Sequence, residues 1–423
     1  MLGARPAICR RRHTLPHVQD ALGDTRVVLI SGARQAGKST LARNILDGLP
    51  TAAQFTLDDE ATLAAARVDP AGFIQHEATV FIDEIQRAPQ LLLAIKAAVD
   101  RSSAPGRFLL TGSADVLAMA QVADALPGRM EIIELWPFSQ GEIEGQIDGF
   151  IDRAFAGWTG RTDSTLSKPD YLRRAQRGGF PDVVLTRDTE RRRGAWFESY
   201  VLALTRREAR DIAGVERPQE LRQLLRLLAA RSGQLLRVEE VARDAGLAPT
   251  TTRRYIRLLE AAYIVRTLPG WATSKTMRAV RAPKMYVCDT GLLCHLLGVT
   301  ADAMATPSSG GAGAVLGTFV TMELARQLGW SDTHASLFHF RSKDGTEVDA
   351  VLEAADGRLV GVEVKAGATV RSEDFRGLRL LMDKVGDRLR AGLVLYTGTE
   401  TLSFGDRLRC APISSLWTTE GGN

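Results

Sequence analysis

The sequence lacks the features of a membrane, secreted or disulfide-stabilised protein. No apolar run in its 423 residues approaches the roughly 20 residues that span a bilayer, so we expect no membrane segment. The basic start CRRRHTLPH has no apolar stretch behind it, which argues against a signal peptide. The four cysteines have no paired spacing. We therefore expect reduced thiols and a cytoplasmic location.

The chain also has little excess charge of either sign. Its 54 lysines and arginines face 50 acidic residues, which leaves a formal net charge of +4. Arginine is nevertheless concentrated in residues 171–210 and 253–257. A local basic bias allows phosphate-bearing partners without establishing one. The composition is that of a globular protein, and the length suffices for roughly two to four domains.

The clearest motif follows a short apolar segment near the N-terminus. Residues 27–30 predict a buried parallel strand, and GARQAGKS then fits G-x-x-x-x-G-K-S/T. The glycines let the loop turn its N–H groups toward a phosphate chain. Lys38 would reach the β- and γ-phosphates, and Ser39 would bind Mg²⁺. The strand before and the helix after disfavour a chance match. The predicted ATP-binding residues are Gly32, Ala33, Arg34, Gln35, Ala36, Gly37, Lys38, Ser39 and Thr40.

Two further apolar segments end in polar residues. TVFIDEIQ ends its strand at Asp83 and Glu84, the Walker B arrangement, in which Asp83 holds Mg²⁺ and Glu84 polarises the attacking water. RFLLTGS ends in Thr111 and Ser113, which could sense the γ-phosphate. Ligands of doubly wound parallel sheets bind at the carboxyl ends of the strands, where these residues fall. The sequence therefore predicts an α/β domain with a doubly wound parallel sheet.

A winged-helix pattern follows the helical middle of the chain. Residues 220–262 hold three amphipathic helices, and YIVRTLPG then predicts a strand. Ile256 and Leu259 of the third helix would face the core. A recognition helix would use its opposite side on phosphates or guanines. The predicted DNA-binding residues there are Arg253, Arg254 and Arg257. Alternatively, the winged helix only packs or docks a protein.

Near the C-terminus, EVDAVLEA and LVGVEVKA predict two paired strands with acids on one face. Alternate residues of a strand share a face, so Glu363 and Lys365 point the same way, and Asp349 can lie alongside. The two carboxylates would bind Mg²⁺, and Lys365 would orient or deprotonate the nucleophile of a phosphodiesterase. The alternative is a two-sided sheet whose solvent face carries Glu and Lys.

Several segments in this order resemble a large family of bacterial and archaeal AAA+ ATPases: LISGARQAGKSTL, VFIDEIQ, LLTGS, ALPGRMEIIELWPFS and GGFPDVV. The resemblance covers nearly the whole chain. It implies nucleotide hydrolysis by an oligomerising P-loop domain, whose site an arginine of a neighbouring subunit often completes. Arg129 is the candidate for that arginine.

The C-terminal part resembles the restriction-endonuclease-like fold, in which an acid precedes a (D/E)-x-K motif. A helix acid often completes such sites, and the related ATPases tend to carry one where this chain has Gly317. Glu323, in the same predicted helix, is the remaining candidate.

These patterns predict an ATP- and Mg²⁺-dependent homo-oligomeric ATPase that binds or remodels structured or foreign DNA, with a metal-dependent nuclease as an added activity. The alternative is a nucleotide-switched signalling, scaffold or toxin–antitoxin-like ATPase whose nuclease fold is inactive. A protein-remodelling ATPase is less favoured, because no pore loop with an aromatic residue is evident. The expected domains are an ATPase (1–141), a helical lid or linker (142–215), a winged helix (216–272), a connecting segment (273–312) and a nuclease-like domain (313–423).

Overall fold

The computed structural model describes residues 10–49, 51–112, 126–158, 160–205, 218–306 and 310–418. The chain forms two compact units. The N-terminal unit comprises residues 11–137 with 261–263, and the C-terminal unit takes residue 10 and the described residues of 138–260 and 264–423. No helix in these described ranges is long and apolar enough to cross a membrane.

The N-terminal unit is built on a parallel sheet of five strands in the order β2-β3-β4-β1-β5. The strands are β1 Val27–Ser31, β2 Ala52–Thr56, β3 Thr79–Asp83, β4 Phe108–Gly112 and β5 Met130–Glu134. The helices are α1 Leu15–Asp24, α2 Lys38–Leu46, α3 Glu60–Val68, α4 Pro70–Phe73 and α5 Leu91–Arg101.

Both faces of this sheet are covered. Val27 and Leu29 of β1 belong to one hydrophobic core, whereas Val28 and Ile30 belong to another. Alternate residues of a strand point to opposite faces, so a strand with every residue buried must lie between two layers. The predicted α/β class with a doubly wound parallel sheet is confirmed.

The C-terminal unit begins with helices and continues into a small antiparallel sheet. The first helices are α6 Gln140–Glu144, α7 Phe150–Phe155, α8 Lys168–Arg177, α9 Pro181–Thr186 and α10 Glu190–Ala203. Three more helices follow, α11 Pro218–Ala230, α12 Val238–Ala245 and α13 Pro249–Ala261. The small sheet has the order β6-β8-β7. Its strands are β6 Gln234–Leu235, β7 Val265–Leu268 and β8 Lys284–Val287.

The expected boundary at residue 272 divides this small sheet. Its central strand, β8, lies inside the segment 273–312 that we expected only to connect two domains. The same segment also holds three short helices, α14 Lys275–Val280, α15 Thr290–Leu297 and α16 Ala301–Ala305. The segment is therefore part of the folded body rather than a linker.

The chain ends in a mixed sheet of six strands, in the order β13-β14-β12-β11-β10-β9. Its elements are α17 Ala312–Gln327, β9 Ala335–Arg341, β10 Glu347–Ala354, β11 Leu359–Lys365, α18 Arg376–Val385, β12 Leu389–Tyr396, β13 Leu402–Ser403 and β14 Leu408–Pro412. Strands β9, β10 and β11 form an antiparallel meander, and β12 joins β11 in parallel after α18.

The segment after β7 is bonded to the edge strand β9 of the six-stranded sheet. The Trp271 amide donates to the His339 carbonyl at 2.6 Å, and the His339 amide donates to the Pro269 carbonyl at 3.0 Å. The β7–β8 connection is thereby held against β9. This contact brings β8 to the side of the meander that carries the predicted carboxylates.

Candidate nucleotide and carboxylate sites

The loop after β1 has a backbone that only particular residues can adopt. A Cβ on Gly32 would lie 2.1 Å from the Leu135 carbonyl oxygen, so no larger residue fits there. Gly37 has φ of 96° and Gln35 has φ of 61°, both in the left-handed region. These conformations fold the loop tightly onto the start of α2, which begins at Lys38.

Lys38 is buried in this loop, with an exposed fraction of 5%. Its Nζ donates to the carbonyl oxygens of Gly32 at 3.0 Å and Ala33 at 2.9 Å. Both acceptors are neutral, so phosphate oxygens can replace them and gain the stronger, charge-assisted bond. The lysine is therefore held where a bound phosphate chain would meet it.

The carboxyl ends of three strands bring the other nucleotide-site residues together. Ser39 Oγ donates to Asp83 Oδ1 at 2.8 Å, and Thr111 Oγ1 also donates to Asp83. The Glu84 amide donates to Thr111 Oγ1 at 3.3 Å, and Glu84 has a left-handed φ of 59°. Its carboxylate accepts a hydrogen bond from Gln86 Nε2.

These residues fit a bound Mg²⁺. A hydroxyl oxygen and a carboxylate oxygen converge in the Ser39–Asp83 contact, and hard oxygen donors are what Mg²⁺ prefers. Mg²⁺ keeps several waters and binds only one or two protein groups besides the substrate phosphates. The predicted γ-phosphate sensor Ser113 lies outside the described residues.

Arg129, the predicted arginine finger, is paired within its own chain. Its Nε lies 2.5 Å from Asp100 Oδ1, and the two side chains are 32% and 39% exposed. An exposed pair of this kind is worth little, about 0–1 kcal/mol, and is readily exchanged for another partner. The finger role stays a prediction.

The three arginines of α13 lie on its exposed face, while Ile256 and Leu259 are buried on the other. Arg253 pairs with Glu239, and the Arg254 guanidinium lies 5.5 Å from the ring centroid of Tyr255. Arg257 is exposed on the same face. A polyanion that contacts all three arginines would have to break one exposed ion pair, that of Arg253 with Glu239.

In the six-stranded sheet, the pairing of Ala350 with Val362 sets Asp349 directly across from Glu363. Asp349 Oδ2 accepts from the Val364 amide at 3.0 Å. Lys365 Nζ lies 3.1 Å from Glu363 Oε1. The structure thus brings together the three residues predicted for the phosphodiesterase. Burial and the charge of Asp349 together raise the pKa of Glu363 to about 7, although Lys365 opposes the rise.

Sequence reasoning missed a fourth residue of this cluster, Lys284 of β8. Its Nζ lies 2.7 Å from Glu347 Oε2 and 3.5 Å from Asp349 Oδ1, and its side chain is 5% exposed. Burial alone would lower the pKa of Lys284, but the acidic groups Tyr286, Asp349 and Glu347 raise it above its ordinary value. The available signal was a lysine in the otherwise apolar run KMYV, which indicates a buried charge with a partner.

Glu323 does not supply a third acid, which corrects our expectation. Its Oε2 accepts from the Gln140 amide at 3.0 Å, and its Oε1 pairs with Arg326 at 2.9 Å. The side chain is fully buried, and burial raises its pKa to about 7. Glu323 therefore caps α6 inside the unit. A Cβ on Gly317 would meet open space, so nothing there replaces the missing acid.

The carboxylate cluster does not fit a bound Mg²⁺. The cation shared by Asp349 and Glu347 is the ammonium of Lys284.

The match to a known protein family agrees with a nucleotide site in the N-terminal unit. The family described as "AAA domain" matches residues 24–144. Two families described as domains of unknown function, DUF8612 and DUF4143, match residues 168–303 and 312–416.

Solved structures show weaker likeness. The Walker-type ATPase paby2304 of Pyrococcus abyssi is 14% identical, with a TM-score of 0.44 over 69% of this chain and 97% of that chain. The RuvB Holliday junction branch migration motor of Thermotoga maritima is 18% identical, with a TM-score of 0.30 over 62% and 90%.

Two mycobacterial proteins match along almost the whole chain. The uncharacterized protein Rv2008c of Mycobacterium tuberculosis and the uncharacterized protein Mb2031c of Mycobacterium bovis are each 32% identical over 415 residues. Each match covers 97% of this chain and 86% of the relative. The chain belongs to the family of these two proteins, and it carries an ATPase domain of the AAA, P-loop type.

Proposed function

We propose that this protein hydrolyses ATP and uses the cycle to bind or remodel DNA. The observation that carries the proposal is the convergence of Lys38, Ser39, Asp83 and Thr111 at the carboxyl ends of three parallel strands. A nucleotide-driven protein needs a second surface on which the cycle acts. The exposed arginine face of α13 is the candidate for that surface.

Each residue of the nucleotide site has a distinct role in this proposal. Lys38 exchanges its carbonyl partners for phosphate oxygens and stabilises charge that builds up during transfer. Ser39 and Asp83 would hold Mg²⁺, which neutralises phosphate charge when bound. Glu84 orients the attacking water, and Gln86 fixes the Glu84 carboxylate. Thr111 holds Asp83 in place from the neighbouring strand.

Support for a DNA-binding winged helix comes from the element order. Helix α11, strand β6, helices α12 and α13, and the antiparallel strands β7 and β8 follow one another as in that motif, with α14 inserted between the last two strands. The helix before these strands is the one that enters the major groove in such domains. Here that helix is α13, and its three arginines are exposed.

The proposal does not include phosphodiester cleavage. The ammonium group of Lys284 is shared between Glu347 and Asp349, and Glu323 is engaged elsewhere, so the cluster lacks the ligands for a catalytic metal. The C-terminal sheet would then contribute contacts to a bound partner rather than chemistry.

The DNA proposal is tested by measuring the affinity for labelled linear and branched duplexes at several salt concentrations. The variant Arg253→Ala/Arg254→Ala/Arg257→Ala should bind at least about ten-fold more weakly, and its slope of log affinity against log salt should fall by up to about three. The control Arg191→Ala/Arg192→Ala removes exposed arginines of α10 and should bind like the wild type. Absence of DNA binding by the wild type in low salt, with ATP turnover intact, would favour the nucleotide-switched signalling or scaffold protein instead.

Assembly into a homo-oligomer is part of the same proposal, because the resemblance implies that a neighbouring subunit supplies an arginine. If Arg129 is that arginine, Arg129→Ala should lower ATP turnover per subunit without changing the mass of the assembly measured by light scattering. Turnover equal to that of the wild type would remove Arg129 from this role.

A further inference from the structure

We propose that Lys284 takes the place of a divalent cation in the C-terminal unit, so that Asp349 and Glu347 hold an internal ammonium group instead of a metal ion. The inference concerns chemistry outside the nucleotide site and does not rest on DNA binding. It assigns a role to a residue far from the acidic motif in the sequence, and it explains why a strand pair with a nuclease-like pattern would not cleave.

The position of Lys284 is fixed by the backbone around it. Strand β8 is the central strand of the small sheet, and Lys284 pairs with Leu235 on one side and with Leu268 on the other. Only 5% of its side chain is exposed. An ammonium group held in this way is a permanent part of the cluster, unlike that of a surface lysine, which samples many rotamers.

The carboxylates are equally fixed. Glu347 and Asp349 are alternate residues of β10, so both point to the face that meets Lys284. All four carboxylate oxygens have donors. Lys284 contacts one oxygen of each acid, Arg341 pairs with the other oxygen of Glu347, and the Val364 amide donates to the other oxygen of Asp349.

The charges of this group also balance without a metal. Lys284 and Arg341 together offset the two negative charges of Glu347 and Asp349. The next acid along, Glu363, pairs through Oε1 with Lys365, which also lies 3.7 Å from Asp374, whereas the buried Oε2 of Glu363 has no hydrogen-bond partner among the described residues. To bind here, a divalent ion would have to displace the buried ammonium group of Lys284. The ion and the ammonium group would then lie close together, and Coulomb repulsion strongly disfavours that arrangement.

The test is a Mn²⁺ titration followed by electron paramagnetic resonance, without nucleotide or DNA. The parent protein carries Ser39→Ala and Asp83→Asn, which remove the metal ligands of the nucleotide site. We expect the parent to show no Mn²⁺ site that depends on Asp349. Adding Lys284→Met should create a site that binds Mn²⁺ at least about ten-fold more tightly than the parent, and adding Asp349→Asn as well should abolish it. The matched control Lys275→Met, an exposed lysine of the same segment, should behave like the parent.

Two outcomes would overturn the proposal. One is a parent that binds Mn²⁺ in a way that Asp349→Asn abolishes, and the other is a folded Lys284→Met variant that gains no site. Should Lys284→Met fail to fold, crystals of the unaltered protein soaked in Mn²⁺ decide the matter. No anomalous peak beside Asp349 is the expected result, and a peak there would refute the idea. Neither outcome bears on ATP hydrolysis or DNA binding, so the two proposals fail separately.

Discussion

Two buried lysines, Lys38 in the N-terminal unit and Lys284 in the C-terminal unit, show how partners decide what a buried charge can do. Their exposed fractions are nearly equal, at 5% and 4%. Lys38 donates to neutral carbonyl oxygens of its own loop, whereas Lys284 faces two carboxylates. Phosphate can take the place of neutral acceptors, but an ion pair already satisfies the charge. The surroundings of Lys38 therefore suit the binding of a phosphate ligand, and those of Lys284 suit a structural role.

The two lysines also differ in how far away along the sequence their partners lie. Lys38 lies five and six residues from its carbonyl partners, so a local loop forms the site. Lys284 lies more than 60 residues from its acids, so only the completed fold brings them together. Altering Lys38 should therefore affect ATP turnover, and altering Lys284 should affect the stability of the fold.

The largest expected effect is that of Lys38→Ala on ATP turnover. Removing a charge that stabilises the transferring phosphoryl group should lower the rate at least about 100-fold. The melting temperature should change little, since water can satisfy the Gly32 and Ala33 carbonyls that Lys38 contacts. Phosphate release under saturating ATP measures the rate, with Lys96→Ala of α5 as the control. Turnover within about three-fold of the wild type would mean that the loop is not a nucleotide site.

The second effect is the loss of stability in Lys284→Met. Removing one partner of a buried ion pair leaves the other charges uncompensated, and such changes cost about 3–5 kcal/mol. Glu347 and Asp349 are about a quarter exposed, so we expect the lower end, about 3 kcal/mol. Urea unfolding measures the difference, and Lys275→Met should lie within about 0.5 kcal/mol of the wild type.

This second effect has an internal check. Adding Glu347→Gln and Asp349→Asn to Lys284→Met removes the stranded negative charges, so the triple variant should recover part of the lost stability. A triple variant less stable than Lys284→Met would show that the pairing of Glu347 with Arg341 outweighs the relief of the stranded charges, and the contrast with Lys38 would then fail. ATP turnover should stay near the wild-type value in both variants.

The sequence was sufficient to predict which residues of a local motif lie together. Gly32 to Ser39 are contiguous, and their backbone follows from two glycines and one strand–helix junction. The Asp349–Glu363 register was also predictable, because the short Asp-Gly turn between β10 and β11 fixes which residues face each other. In both cases the information lies within about twenty residues.

Contacts between distant segments were not predictable in this way. Nothing in KMYV states which acids will meet Lys284, because periodicity gives a face of a strand and not its neighbour. Glu323 was assigned wrongly for a related reason. Helix α17 is buried on most of its positions, so no polar stripe indicates which side Glu323 occupies. Residues of a local motif could be located from the sequence, whereas the partners of Lys284 and Glu323 depend on packing between distant segments.

The smallest effect concerns Glu363, whose pKa burial raises to about 7. A carboxyl group in the unfolded chain titrates near pH 4.5, so between pH 4.5 and 7 the folded state keeps a proton that the unfolded state has lost. The free energy of unfolding should therefore fall as pH rises through this window and level off above it. Glu363→Gln removes this dependence.

Compared with the wild type, Glu363→Gln should become relatively more stable from pH 5 to pH 8, by about 2 kcal/mol. Urea midpoints at pH 5, 6, 7 and 8, without metal or nucleotide, measure this difference. Glu323 also has a raised pKa, but its contribution cancels between the two proteins. The exposed Glu373→Gln should give a curve parallel to the wild type. A flat difference for Glu363→Gln would mean that Glu363 is ionised throughout the window. The negative charge of Glu363 would then need a stronger cation than Lys365. The C-terminal cluster would then need a metal ion, as the nucleotide site does.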